Sequence, residues 1–399
     1  MAGFEARRAF EHIDKLAYEI GPRLAGTRGE ELAAEYIKEQ LKAYGYKVET
    51  LRFEFVDKLA RSRVKACCIL AAFFASLFLS PNVSLLALIG ALLLSRFIPK
   101  ALPRRRSQNV IATLNAENPR TRILVCAHYD SARCTRSRSL NIFIWLTSAP
   151  SLWAFVACSI ARALGILSSW WVAWTCLAAI LLPSHVGMLV SSSSRRVSPG
   201  ANDNASGVAV MLEVARVAAE DRPSEAEPVF VAMGAEEEGL QGSRALAATM
   251  RNGVVLNLDS VGVGSRIYFV EGNGALRRWR TSPEVNRALI SCAHRLRLKL
   301  FPMWAVLASH DHIPLLRSGF KATTISVDKA GRSKLERLIS EVMGLSNAHI
   351  RRYEYLHTAD DLPERIDIAN VERVGQIVLE FIKAVATEDK HLCREPHNN

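Results

Sequence analysis

Five short stretches place histidines and carboxylates between apolar runs. They are "AHYDS" with His128 and Asp130, "SPGANDNASGV" with Asp203, "GAEEEGLQGS" with Glu236, Glu237 and Glu238, "NLDSVG" with Asp259, and "YLHTADD" with His357, Asp360 and Asp361. Each is weak alone. An isolated His-x-Asp is more often structural than ligating, and a run of three glutamates is usually a solvated helix start near the positive end of the dipole. Together they supply what a pair of hard-to-borderline divalent ions needs, two imidazoles and several carboxylates, provided that the fold gathers them at one place.

The intervening sequence predicts such a fold. Residues 27 to 45 form a helix pattern, with Thr27 and Glu30 as a capping box, Leu32, Ala33, Tyr36, Ile37 and Leu41 on one face, and Gly45 as the stop. Strand-like runs follow in "YKVETLRFEF", "NVIATL", "RILVCAH", "PVFVAMG", "GVVLNLD" and "ATTISV", and helix-like patterns cover 204–219, 240–250, 283–297, 332–344 and 367–386. This alternation implies an α/β fold, a mostly parallel sheet with helices on both faces. His128, Glu236, Glu237 and Asp259 fall just after strands, where open α/β sheets carry their sites.

The order and surroundings of these motifs resemble metallopeptidase family 28, the two-zinc aminopeptidases of aminopeptidase Y type, whose relatives include glutamate carboxypeptidase and glutaminyl cyclase. The likeness covers roughly residues 8–57, 107–131 and 198–383, including "EIGPRLAGTRGEELAAEYI". It implies a three-layer α/β/α sandwich around a mixed, mostly parallel sheet. By the same resemblance His128 and Asp259 hold one metal, Glu237 and His357 the other, and Asp203 bridges the two. Glu236 is then the general base, and Asp130 accepts the other N–H of His128 and fixes its tautomer. The family's Glu-Glu-x-Gly-Leu spacing assigns Glu236 and Glu237 and leaves Glu238 variable. Asp361 fits the family's His-Thr-x-x-Asp ending, with Asp360 as its competing neighbour, and a cis peptide is expected between Asp203 and Asn204. Two divalent ions are implied, zinc preferred, although manganese or cobalt suits the same ligands. "WAVLASHDHIPLL" lies near a family Ser-Asp-His segment, but His310 intervenes between Ser309 and Asp311. Substrate contact and a plain helix entry with Pro314 in its first turn both remain open there.

Composition adds a second theme. In 399 residues the apolar fraction is 49% and the charged fraction 23%, which excludes wholesale disorder. Residues 66–94 and 139–161 carry no charge, and 163–194 have only His185 as a titratable group. The net charge is +12, and thirteen of the 51 basic residues lie in acid-free flanks of these runs: Arg61, Arg63, Lys65, Arg96, Lys100, Arg104, Arg105, Arg106, Arg133, Arg136, Arg138, Arg195 and Arg196. The basicity therefore reads as membrane-flanking charge, with a lipid bilayer and not nucleic acid as partner. The eight cysteines form no Cys-x-x-Cys pair and read as free thiols. "MAGFEARRAFEHIDKLAYEI" reads as an amphipathic helix and not a secretory signal.

His128 and Asp203 lie 75 residues apart, where the family pattern has a couple of dozen. The excess is apolar, so membrane hairpins are expected as insertions at 61–102 and 139–194, interrupting a catalytic domain made of 1–60, 103–138 and 195–399. Each insertion must cross an even number of times, or the helix at 27–45 is stranded from the core with which it packs. Residues 140–161 and about 166–190 suffice for two passes, whereas the arms around Ser80, Pro81 and Asn82 are near 15 residues each, short against the roughly 20 that span a bilayer. Trp145, Trp153, Trp170, Trp171 and Trp174 suit either interfacial belts or packing. Since the basic flanks lie on the side of the catalytic body, the positive-inside rule puts that body in the cytoplasm.

The expected activity is that of a membrane-anchored zinc exopeptidase, an aminopeptidase acting on peptide substrates. The alternatives are a carboxypeptidase or dipeptidase on the same scaffold, or an inactive receptor or scaffold. A glutaminyl cyclase, which uses one zinc, fits less well, since all five candidate ligands are present. No oligomeric state is implied.

Overall fold

The computed structural model describes residues 3–114, 121–134, 138–167, 169–191, 196–221, 226–274, 279–305, 308–328 and 355–388. The helix pattern at 332–344 lies outside them. The chain divides into two compact units, one comprising Met1–Phe53, Arg106–Arg133 and Val197–Asn399, the other Glu54–Arg105 and Cys134–Arg196.

The first unit is built on a mixed sheet. Its strands are β1 (Lys47–Phe55), β2 (Arg105–Thr113), β3 (Thr121–His128), β4 (Ala226–Met233), β5 (Val254–Leu258), β6 (Arg266–Asn273), β7 (Trp279–Arg280), β8 (Leu300–Ala305) and β9 (Lys321–Asp328), in the order β1-β2-β4-β3-β5-β9-β6-β7, with β8 on β6. The pairs β3·β4, β3·β5, β5·β9 and β6·β8 are parallel, while β2·β4, β6·β9 and β6·β7 are antiparallel. Both faces of the central strands are apolar because both are covered. Ile123, Val125, Phe230, Leu256 and Ile325 face a core shared with helices Ala6–Asp14, Arg28–Ala43, Ser206–Glu220, Pro283–Arg295 and Ile368–Glu388. Leu124, Val229, Val231 and Val255 face the opposite layer, with Leu246 of helix Gln241–Thr249 and Leu315 of helix His312–Arg317. This is the three-layer α/β/α sandwich.

Two local features differ from the sequence expectation. Strands β6, β7 and β8 carry no clear alternation. Pro302 is tolerated in β8 because that strand pairs with β6 alone among the described residues. The capping box does not close at Thr27. Glu30 is buried and accepts instead from the Gly26 amide (2.6 Å) and the Ser107 hydroxyl (2.5 Å), while Thr27 Oγ1 donates to the Leu24 carbonyl. The helix-opening carboxylate is drawn inward to a strand residue, not to its own cap.

The second unit consists of helices Lys58–Ala75, Pro81–Ala101, Arg138–Ala163 and Trp170–Ser191, whose core holds Ile69, Phe73, Leu88, Phe155, Trp174 and Leu181. Pro81–Ala101 and Trp170–Val190, 21 residues each, are long and apolar enough to cross a membrane. At 1.5 Å per residue such a helix is about 30 Å long, so the first hairpin's second arm exceeds its charge-free stretch. Outward-facing side chains are apolar as well: Phe78 is 87% exposed and Trp153 71%. Trp174 is a packing residue, whereas Trp153 and Trp171 face outward.

The turns of the two hairpins meet through Arg162, which donates to the carbonyls of Ser76 (2.7 Å) and Leu79 (3.2 Å) and lies over the Trp170 ring. It thereby satisfies acceptors left over at the end of the first helix. Arg162→Met is expected to cost the second unit about 1.5–3 kcal/mol, the worth of a charged hydrogen bond. Tryptophan-monitored unfolding in detergent checks this, and an unchanged transition would contradict it.

Candidate metal centre

Strands β3, β4 and β5 run parallel in a register that pairs His128 with Met233 and Cys126 with Asn257, so their carboxyl ends lie side by side. His128 ends β3, Asp259 directly follows β5, and Glu236 and Glu237 sit in the turn after β4. That turn is shaped by Ala235, whose φ is +53°; Ser260 and His357 are also left-handed, each at φ +57°. Left-handed non-glycine residues concentrate where surrounding structure dictates the backbone.

Asp203 enters from the segment before helix Ser206–Glu220, and its peptide bond to Asn204 is cis. Several contacts fix it. Both Asp361 oxygens accept main-chain amides, Oδ1 from Asn202 (2.8 Å) and Oδ2 from Asp203 (3.1 Å). Asn204 donates to the Leu258 carbonyl (2.8 Å) and accepts from the Gly207 and Ser260 amides, binding the segment to the end of β5. A Cβ at position 207 would stand 2.4 Å from Asn204 Oδ1 and 2.7 Å from the Leu258 carbonyl oxygen, so only glycine fits. Asp361 is fully buried and Asp360 exposed, which decides between the neighbours.

The resulting geometry is specific. His128 Nε2 lies 3.1 Å from Asp203 Oδ1, and His357 Nε2 lies 3.0 Å from Asp203 Oδ2 and 3.1 Å from Glu237 Oε1. Donor atoms of His128, Asp203 and Asp259 lie within 4.8 Å of one another, as do those of Asp203, Glu237 and His357. The fold thus brings all five predicted ligand residues into two groups joined by one carboxylate. Two nitrogens and three carboxylates suit borderline divalent cations such as zinc. The His357 side chain is 41% exposed, so the site meets solvent on that side.

Asp130 differs in detail from expectation. Its carboxylate accepts the amides of Glu236 (3.0 Å) and Glu237 (3.1 Å), and His128 Nδ1 is nearer the Asp130 main-chain oxygen (3.2 Å) than its carboxylate (3.5 Å). Two main-chain donors win the carboxylate, so Asp130 orients the glutamate turn as well as the imidazole.

Burial lowers the pKa of both imidazoles, but it is outweighed by Asp130 and Asp203 at His128 and by Glu237 and Asp203 at His357, which hold the rings well above their usual range. Loss of water, then the negative charges of Glu237, Asp311 and Asp259, push Glu236 up against the pull of His128. Such a concentration of carboxylates favours a bound cation.

The segment after Ser309 forms a buried network. His312 bonds Thr324 (2.6 Å) and Asn273 (2.7 Å), His310 Nδ1 lies 3.2 Å from Asn273 Nδ2, and His310 Nε2 lies 3.7 Å from Asp259 Oδ2. Asn202, whose Oδ1 accepts from the Gly262 (2.8 Å) and Val263 (3.0 Å) amides, supports the site together with Asn204 and Asn273, and such uncharged amide side chains leave no charge pattern in a sequence.

Residues 179–382 match the family model described as peptidase family M28. Over 200 residues the chain is 32% identical to endoplasmic reticulum metallopeptidase 1 of Rattus norvegicus, covering 48% of this chain and 20% of that one. Over 219 residues it is 28% identical to aminopeptidase YwaD of Bacillus subtilis, covering 52% and 42%. The chain therefore spans less than half the length of these curated relatives. The crystal structure of BSAP, a zinc aminopeptidase from Bacillus subtilis, superimposes with a TM-score of 0.60 at 18% identity over 96% of each chain.

Replacing Asp361 by Asn turns one acceptor into a donor facing a main-chain amide. Divalent-metal affinity, measured by chelator competition, is expected to fall 10–100-fold, as for other supports of metal ligands. Asp360→Asn should leave it unchanged, and equal affinity in both variants would contradict the assignment.

Proposed function

The chain belongs to peptidase family M28, and from that premise we propose that it is a membrane-anchored, zinc-dependent exopeptidase that removes N-terminal residues from peptides. The observation that carries this reading is the sharing of Asp203 between two donor groups, with Glu236 next in sequence to one ligand. Bound there, two zinc ions would polarise the scissile carbonyl and make water a nucleophile near neutral pH.

The remaining work falls to side chains of this protein. His128 and Asp259 form one half of the centre, Glu237 and His357 the other, and Asp203 presents a separate oxygen to each. Glu236 takes the proton from the attacking water and returns it to the departing amine nitrogen, a shuttle that needs a carboxylate beside the reacting atoms but not committed to the metals. Asp130 sets the direction of Glu236 and Glu237 by holding both amides. The aminopeptidase reading takes support from the likeness to aminopeptidase YwaD. A catalytically silent scaffold would have no reason to keep five donors and a base.

The anchor consists of the insertions at 61–102 and 139–194. The reading rests on two helices of spanning length and on an outward-facing apolar surface. Each insertion leaves and returns on one side, and the basic flanks assign that side to the cytoplasm.

Glu236→Gln is expected to retain bound zinc by metal analysis while release of N-terminal residues from a peptide library falls by at least 10²-fold, within the usual worth of general-base catalysis. Near-normal turnover would remove Glu236 from its role, and release of C-terminal residues by the wild type would replace the aminopeptidase with a carboxypeptidase. For the topology, Cys134, which lies between Arg133 and Arg138, kept as the sole cysteine of the chain, should react with an impermeant maleimide only after cells are permeabilised. Labelling of intact cells would reverse the orientation.

A further inference from the structure

The N-terminal "GPR" is part of the family-like segment, yet none of its side chains supplies a ligand or a base. Arg23 in it is fully buried. Its guanidinium is spent on main-chain carbonyls: Nε donates to Tyr129 (2.8 Å), Nη1 to Leu16 (2.7 Å), Gly21 (2.9 Å) and Pro199 (2.7 Å), and Nη2 to Gly200 (2.8 Å). The main chain is tied in as well. The Arg23 amide donates to Ser131 Oγ (2.9 Å), the Ser131 amide returns a bond to the Arg23 carbonyl (3.1 Å), and Ser131 Oγ donates to Ser198 (2.8 Å).

These partners are not scattered. Tyr129 lies between His128 and Asp130, while Pro199 and Gly200 begin the turn that presents Asp203. The fit is tight, since a Cβ on Gly200, at φ +64°, would approach Ser131 Cβ to 2.8 Å and Arg23 Nη2 to 2.9 Å. Resting on the metal-centre reading above, we infer that Arg23 is a positioning residue, a fork that locks the His128 loop to the Asp203 loop so that their donors face each other across one metal position.

A plug that merely filled space would be apolar, because burying a charge is costly. Burial lowers Arg23 to about 10, and Asp361, Asp130 and Asp203 act in the opposite direction. The cation thus stays charged at neutral pH beside three carboxylates: the one shared by the two donor groups and the two that position its surroundings. Lysine would keep the charge but not the planar fork that reaches several carbonyls at once.

The test compares full-length wild type, Arg23→Lys and Ile37→Ala in detergent, reading zinc affinity by competition with a chromogenic chelator, the thermal midpoint of each metal-free protein, and kcat and KM for peptide hydrolysis by each zinc-loaded protein. Ile37 is a fully buried core residue far in sequence from the ligand loops and calibrates plain destabilisation. Arg23→Lys is expected to weaken zinc binding 10–100-fold and to lower kcat with KM unchanged, whereas Ile37→Ala lowers the midpoint and leaves zinc affinity within about twofold. If Arg23→Lys does not accumulate, Arg23→Gln carries the same readouts and expectation. Zinc affinity of the Arg23 variant equal to wild type, or an equal loss in Ile37→Ala, overturns this inference alone. A wild type that binds no zinc overturns the metal-centre reading and the inference together.

Discussion

A single carboxylate that must serve two neighbours at once sets the demands on the rest of this fold. The two oxygens of Asp203 stand about 3 Å from imidazoles that lie far apart along the chain, His128 at the end of β3 and His357 in a turn near the C-terminal helix. A carboxylate free to rotate would serve one or the other. Its backbone is therefore held on every side: by Asp361 beneath the preceding amides, by Asn204 to the end of β5, and by Gly207 where no side chain fits. Polar support of this kind resists distortion because each buried group left unpaired would cost on the order of 1–3 kcal/mol.

The same constraint accounts for the charge arrangement. Carboxylates gathered this closely repel one another, and the two imidazoles answer that repulsion by holding protons strongly. Divalent cations answer it better, since each can meet several oxygens and nitrogens together. Asp130 spends its own charge on main-chain amides, which fixes the turn carrying Glu236 and Glu237 without adding a ligand. In the proposed mechanism adjacent residues then serve different purposes, Glu237 facing His357 and Glu236 reserved for proton transfer.

How much of this was legible depended on the kind of interaction. The central strands could be read because both of their faces are buried, giving apolar runs such as "RILVCAH" and "PVFVAMG", and the carboxylate-bearing turns follow directly from their ends. The strands beyond β9 could not: β8 contains Pro302, which interrupts its apolar run, and finds its pairing only in three dimensions. Glu30 reads as a cap from its spacing, but a buried serine and a neighbouring amide compete for it. Arg23 was invisible as a site-shaping residue because its partners are carbonyls, and a carbonyl leaves no mark in a sequence. The long apolar runs were legible by composition, while the way Arg162 ties their turns together required coordinates.

Anomalous diffraction at the zinc edge, on crystals of the full chain grown with zinc, would test the shared carboxylate most directly. The account predicts two peaks about 3.5–4 Å apart, one beside Asp203 Oδ1 and His128, the other beside Asp203 Oδ2 and His357. A lone peak, or two peaks that approach no common carboxylate, would contradict it.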